Sequence, residues 1–167
     1  WRDPDACAEM GRANRDWVAD GQPFLVAYAD NLTNVDLGAL MAAHERHQPL
    51  LTMGLFHADQ PSRCGIAEVD EGGRIIGFEE KPARPKSNLA NAGFYVSDRR
   101  LIARIPDRTP ADFGLDVLPR LIGEMYGVVV HGDIIDVGTP ESYARAQREA
   151  GRLGLEAMVA GRQGDGR

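Results

Sequence analysis

Apolar residues along this 167-residue chain fall into short runs of two different periods. In QPFLVAYADNLTN the run Phe24 to Ala29 predicts a buried strand, broken into a turn at Asp30 and Asn31. In DLGALMAAHERHQ, Leu37, Leu40, Met41 and His44 share one helical stripe, with Asn34 or Asp36 placed to cap it. PLLTMGLFH then returns as a second apolar strand. Strand, helix and strand with short links predict a right-handed βαβ unit and a parallel sheet.

The period changes further on. GIAEVDEGGRIIGFEE alternates on both sides of Asp70-Glu71-Gly72-Gly73, which predicts an antiparallel hairpin closed by glycine. A basic, proline-broken loop follows; NAGFYVS reads as a strand and DRRLIARI as a short helix. Phe113, Val117, Leu118, Leu121, Ile122 and Met125 are spaced as on a helix that Pro119 must kink or restart, since proline has no N–H to donate. YGVVVHG and DIID are strand pieces. In the closing helix Thr139 suits the cap, Pro140 the first turn and Glu141 the helix dipole. The pattern predicts an α/β fold: a mixed, mostly parallel sheet with helices on both faces. Residues 1–20 form an atypical N-terminal segment, 21–153 the domain, and 154–167 a flexible tail.

Composition narrows this picture. An apolar content of 43% and a charged content of 26% suit one globular domain with a sizeable core. A formal charge of −6 argues against non-specific nucleic-acid binding, yet leaves room for a local basic pocket for a small anion. Cys7 and Cys64 stand in no metal-ligand spacing and read as reduced thiols of a cytoplasmic protein. No apolar run approaches the ~18 residues of a membrane span, and the first residues hold no signal core. The start at Trp1 suggests an excised or truncated chain.

Candidate chemistry centres on three charged residues. Asp30 and Asp136 each end a strand, where open α/β sheets place ligands, and two such acids suffice for Mg²⁺ completed by water and phosphate oxygens. Position alone favours turn-capping for both. Lys81, held between a strand and Pro82, is a point charge suited to phosphate. Strand alternation places Glu80 on the opposite sheet face from Lys81, with two acceptors for hydroxyls. Asn91 and Gly93 would admit a polar ligand close to the backbone. Seen alone, the same loop is equally a solvated surface ion pair. His44 and His47, one helical turn apart, lack a third metal ligand and read as a helix surface feature. Arg84, Lys86, Arg99 and Arg100 read as solvated charges, and Trp1 and Trp17 as packing residues.

Four segments together resemble the sugar-1-phosphate nucleotidylyltransferases, or nucleotide-sugar pyrophosphorylases. FLVAYADNLTNVDL resembles the family's strand ending in a metal-binding aspartate. CGIAEVDEGGRIIGFEEKP, KSNLANAGFYV and DIIDVGTPESYARA match its next three motifs in order and spacing across residues 24 to 148. The resemblance implies that Asp30 and Asp136 hold Mg²⁺, that Lys81 binds the sugar phosphate, that Glu80 binds sugar hydroxyls, and that Gly65 and Asn91 line the sugar site. The implied reaction joins a sugar 1-phosphate to a nucleoside triphosphate with release of pyrophosphate, in cytoplasmic nucleotide-sugar and polysaccharide biosynthesis. The pattern leans to guanylyl or thymidylyl transfer.

The chain also departs from the family's pattern. The glycine-rich Thr-Arg-Leu loop that cradles the triphosphate has no counterpart in these residues, so the resemblance covers the C-terminal two-thirds only. Ile134 stands where the family often has tryptophan. Without the nucleotide-binding βα units, the apolar strand FLVAYA would offer a bare edge, predicting poor stability or a homodimer. An inactive, sugar-nucleotide-binding regulatory relative is the alternative expectation. A glycosyltransferase of related fold is disfavoured because no Asp-x-Asp motif occurs.

Overall fold

The computed structural model describes residues 16, 18–19, 21–107 and 111–153. Cys7, Trp1, Trp17, the expected flexible tail and nearly all of the expected N-terminal segment lie outside the described residues. The chain divides into two compact units, one built from residues up to 27 together with 37–130, the other from 28–36 with the residues after 130.

The first unit contains β1 (Phe24–Ala27), α1 (Leu37–His47), β3 (Leu51–His57), β4 (Gly65–Val69), β5 (Ile75–Glu80), β6 (Leu89–Ser97) and β7 (Met125–Val129). The strand order is β5-β4-β6-β3-β7, and β1 also pairs with β6. The mixed α/β character is as expected, but the balance of directions differs. Only β3–β7 runs parallel among the described strands; β1–β6, β3–β6, β4–β5 and β4–β6 are all antiparallel. The cause lies in β6, which enters between β1 and β3 and keeps the predicted βαβ pair from lying side by side.

One edge of β6 is shared end to end. Its first half pairs with β4 at Ala90, and its second half pairs with β1 from Phe94 to Ser97. Between these halves the register against β3 slips, from Met53 opposite Tyr95 to Leu55 opposite Asn91. The slip is a bulge with Gly93 at φ +74°, where a side chain would be strained. The Asn91 side chain accepts the Gly93 N–H at 3.0 Å and closes the bulge.

The predicted hairpin is present as β4 and β5. Asp70 Oδ1 accepts the N–H groups of Gly72 and Arg74 at 2.9 and 2.8 Å, and Gly73 takes φ +86°. The turn also ties the two ends of the sheet together. Arg74 bridges to Tyr126 of β7, and a Cβ on Gly73 would fall 2.6 Å from the Tyr126 ring. Leu51, Met53, Leu55, Ile75, Tyr95, Val96, Leu118, Leu121 and Met125 are fully buried in this unit.

α1 lays Leu40 and His44 inward, as its stripe predicts, and ends where Gln48 adopts φ +46°. Phe24 to Ala29 does not form a strand buried on both faces. β1 stops at Ala27 and alternates between half-buried and exposed positions. The expected helix over 113–125 is instead a π turn over Phe113–Val117 followed by a 3-10 turn over Leu118–Leu121, with Pro119 in its first positions. Proline restarts the helix here rather than kinking it.

The second unit holds β2 (Asn31–Thr33), β8 (Ile134–Asp136) and α2 (Pro140–Glu149). β2 and β8 form an antiparallel ladder, and Ile135, Ala146 and Leu153 pack with Leu32 and Val137 beneath it. Asn34 does not cap α1; its Oδ1 accepts the Asp133 N–H at 2.8 Å and fastens this ladder. α2 has the expected cap, with Thr139 and Ser142 bonding each other's backbone N–H reciprocally at 3.1 Å.

Candidate active site

The sugar-site candidates of the first unit fall on one transverse row of the sheet. Gly65 of β4 faces Glu80 of β5. Ile66 faces Ala90 in the antiparallel β4–β6 pair, which sets Gly65 across from Asn91. Residues on one row point to the same face of a sheet, so Glu80 and Asn91 flank a glycine between them. A Cβ on Gly65 would lie 2.5 Å from Glu80 Oε2 and 2.6 Å from the Phe78 ring, so a side chain here would displace both.

Asn91 is fixed from two sides. Its Nδ2 donates to Tyr95 Oη at 2.6 Å, while its Oδ1 accepts from Gly93. A primary amide has two N–H bonds and two lone pairs on oxygen, so one donor and one acceptor position remain on a pre-aimed group. Gly93 is buried and serves Asn91 by shaping the bulge.

Lys81 ends the row. Its N–H donates to the Cys64 carbonyl at 3.1 Å, extending the hairpin ladder one residue past β5. Its backbone then turns to φ +49°, a left-handed conformation that costs a residue with a Cβ about 1 kcal/mol. Such strain at a non-glycine residue clusters at functional sites. Alternation therefore stops at Glu80, and the expected placement of Glu80 and Lys81 on opposite faces is overturned. Lys81 Nζ lies 3.8 Å from Glu80 Oε1, with the lysine side chain 68% exposed and the glutamate 21%. The pair adds little stability at that exposure; what matters is an ammonium beside a carboxylate. Burial pushes the Glu80 carboxyl above its usual range, the Lys81 charge opposes that, and the Asp112 carboxylate adds to it.

Asp112 and Gly114 escaped the sequence pattern. The π turn brings Gly114 against Glu80, where a Cβ would lie 3.0 Å from Oε2. Phe113 packs on Tyr95 with ring centroids 5.0 Å apart. The available signal was glycine in Asp112-Phe113-Gly114-Leu115-Asp116, an awkward residue for a helix interior.

The metal-site candidates belong to the second unit. Asn31 faces Asp136 across the β2–β8 ladder, and the Val137 N–H donates to the Asp30 carbonyl at 2.8 Å. The two acids thus occupy neighbouring rungs. Asp136 Oδ1 accepts the Gly138 N–H at 2.6 Å, so this acid does cap a turn, and its second oxygen is the one to offer elsewhere. Both acids are exposed. No group of three or more His, Cys, Asp or Glu able to hold a metal occurs among the described residues. Two exposed carboxylates are oxygen donors of the chemistry Mg²⁺ takes, the rest of its shell coming from water and phosphate.

The histidine pair separates. His44 is buried with Nδ1 2.9 Å from Thr52 Oγ1, and burial lowers its pKa; His47 stacks on Tyr126 at 4.0 Å. Among the residues read as solvated charges, Lys86 pairs with Glu68 at 2.9 Å and Arg100 with Asp98 at 2.7 Å.

Residues 4–152 match the nucleotidyl transferase family. The chain belongs to that family. It is 35% identical over 149 residues to a glucose-1-phosphate adenylyltransferase of Desulfitobacterium hafniense, covering 81% of this chain and 37% of the relative. It is 31% identical over 129 residues to a mannose-1-phosphate guanylyltransferase of Mycobacterium tuberculosis, covering 75% of this chain and 36% of the relative. A Bacillus anthracis structure, described as a glucose-1-phosphate thymidylyltransferase in complex with a sucrose, superposes with a TM-score of 0.73 at 26% identity. That alignment covers 86% of this chain and 60% of the other. This nucleotidyl transferase chain thus spans little more than a third of the curated relatives' length. No helix among the described residues is long and apolar enough to cross a membrane.

Proposed function

We propose that the protein carrying this nucleotidyl transferase chain moves a nucleotidyl group from a nucleoside triphosphate to a sugar 1-phosphate. The observation that carries the reading is the row Glu80–Gly65–Asn91 with left-handed Lys81 at its end. It sets acceptors, an amide and a cation around a glycine gap, in the proportions of a hydroxyl-rich ring bearing one phosphate. Lys81 binds the phosphate; Glu80 accepts from ring hydroxyls; Asn91 uses its remaining donor and acceptor; Gly65 and Gly93 keep the backbone close.

The chemistry asks little of a general base. An oxygen of the sugar phosphate, already anionic, attacks the α-phosphorus in line; the new P–O bond forms as the bond to pyrophosphate breaks. Catalysis then rests on positioning and charge neutralisation. Asp30 and Asp136 would hold Mg²⁺, which supplies charge neutralisation among the phosphates. Lys81 offsets the charge of the acceptor phosphate.

The sequence pattern leans to guanylyl or thymidylyl transfer, and the relatives' names add adenylyl transfer to the set. The test is pyrophosphate release by the protein as its gene encodes it, supplied with Mg²⁺, each nucleoside triphosphate and glucose or mannose 1-phosphate. We expect release with one sugar favoured, and a rise in the sugar 1-phosphate KM of about 10- to 100-fold in Lys81→Ala, the loss of one charge-assisted bond. Silence with every pairing would overturn the reading. Ligand held without turnover would instead favour the regulatory relative.

A further inference from the structure

Glu80 Oε2 lies close to two residues that have no side chain. A Cβ at Gly65 would lie 2.5 Å from this oxygen, and a Cβ at Gly114 would lie 3.0 Å from it. A carboxylate cannot be held this closely unless both neighbours are glycine, because contacts under about 3.4 Å oblige something to move. Gly65 is opposite Glu80 by strand register alone. Gly114 arrives from a distant part of the chain.

The segment that delivers Gly114 is tightly specified. Asp112 Oδ1 accepts the Leu115 N–H at 2.7 Å, Asp116 Oδ2 accepts the Asp112 N–H at 2.9 Å, and the Asp116 N–H donates to the Asp112 carbonyl at 2.8 Å. The Leu118 N–H closes a five-residue step onto the Phe113 carbonyl, the mark of a π turn. Phe113 seats the turn on Tyr95, the same tyrosine whose hydroxyl accepts from Asn91. The turn therefore touches both ends of the row: through Phe113 and Tyr95 at Asn91, and through Gly114 at Glu80.

We propose that this π turn is a positioning element for the acceptor sugar, in which Gly114 sets how far the Glu80 carboxylate reaches over the row and Asp112 sets how strongly it accepts. The inference rests on the reading of Glu80 as the acceptor for sugar hydroxyls. Gly114 does not touch substrate; it acts through Glu80. Adding one methyl group at Gly114 pushes the carboxylate aside by a few tenths of an ångström. Asp112 acts through its charge: a Cβ at Gly114 would lie 3.3 Å from Asp112 Oδ1 and 3.0 Å from Glu80 Oε2, so the two carboxylates approach the same point. The charged groups acting on Glu80 are Lys81 at the strand end, which favours the carboxylate, and Asp112 on the turn, which opposes it. Asn at 112 would keep an oxygen to accept the Leu115 N–H while removing that opposition.

The experiment compares wild type, Gly114→Ala, Glu80→Gln and the double variant in the protein as its gene encodes it, with KM measured separately for sugar 1-phosphate and nucleoside triphosphate. Gly114→Ala is expected to raise the sugar 1-phosphate KM about tenfold, since a small misplacement near a reacting group is costly, and to leave the nucleotide KM alone. In the Glu80→Gln background the same change should add nothing. An active wild type whose sugar 1-phosphate KM ignores Gly114→Ala, or an equal added effect in both backgrounds, overturns the inference while leaving the proposed function standing. A second readout needs neither turnover nor a folded Gly114 variant. The Glu80 carboxyl is titrated by NMR in wild type and in Asp112→Asn, where its titration, and any acid limb of kcat/KM for the sugar phosphate, should move to lower pH. An unmoved Glu80 titration overturns the inference even when the wild type proves inactive.

Discussion

Asp136 and Gly138 are joined by a 2.6 Å hydrogen bond from the glycine N–H to the aspartate Oδ1. A Cβ on Gly138 would lie 2.8 Å from that oxygen, so the turn is built to close on this carboxylate. The structural use of Asp136 and its proposed metal-binding use can be separated, because among the described residues the hydrogen bond engages Oδ1 and leaves Oδ2. Asp136→Asn keeps the turn bond and should melt near wild type, yet lose most nucleotidyl transfer. Asp136→Ala should lose the transfer and also about 0.5–1.5 kcal/mol of stability with the bond. Urea unfolding of both variants beside the pyrophosphate assay checks the pair. Equal melting of the two would show that the bond contributes nothing.

Glu80 makes a second prediction about acid and base. Its pKa is raised in the fold, mainly by burial. Between its unfolded and folded values the native state holds the proton more tightly than the unfolded chain. Its contribution to stability is therefore complete below the unfolded value of 4.5 and is lost as pH rises through the folded one. Glu80→Gln removes that loss. The variant should be more stable than wild type at neutral pH, with the gap closing in acid, as thermal melts across pH 4 to 8 would report.

His44 predicts the opposite slope. Burial lowers its pKa below 6.5, so the native state resists protonation. Stability from this group is full above 6.5 and declines as pH falls through the folded value. Thr52, fully buried, gives the His44 ring its partner. Thr52→Val should cost about 1–3 kcal/mol by leaving a buried polar atom unpaired, measured by urea unfolding at pH 7.5.

β1 supplies a prediction about association. It pairs with β6, and no second partner strand occurs for it among the described residues. Leu25 on this strand is 41% exposed. An open apolar strand edge recruits another strand. Residues 1–167 prepared alone should sediment in a concentration-dependent way, and Leu25→Lys should shift them toward monomer. A sharp monomer at high concentration without the substitution would contradict this.

Local pattern made much of the molecule legible. Alternation around Gly72-Gly73 predicts the β4–β5 hairpin, and Thr139-Pro140 predicts the start of α2, because both signals lie within a few residues. Proline at 119 marks a break for the same reason. Strand neighbours are another matter: β1 and β3 look like adjacent parallel strands until β6, far along the chain, enters between them. β2 is too short and polar to register as a strand at all. Within the candidate site, Glu80, Lys81 and Asn91 carry recognisable side-chain chemistry. Gly114 carries none, and its importance lies in the closeness of a residue far off in sequence. The left-handed turn of Lys81 was hidden too, since lysine gives no hint of it.

The bulge in β6 has a consequence for how this chain can vary in length. Residues 92–94 lie where the strand changes neighbours, with β4 beside it before the bulge and β1 after it. A deletion of one residue there would reverse the inward and outward faces of the following segment against two ladders together. Gaps and insertions among natural descendants of this sequence should therefore spare the bulge, which works as a ruler for the sheet.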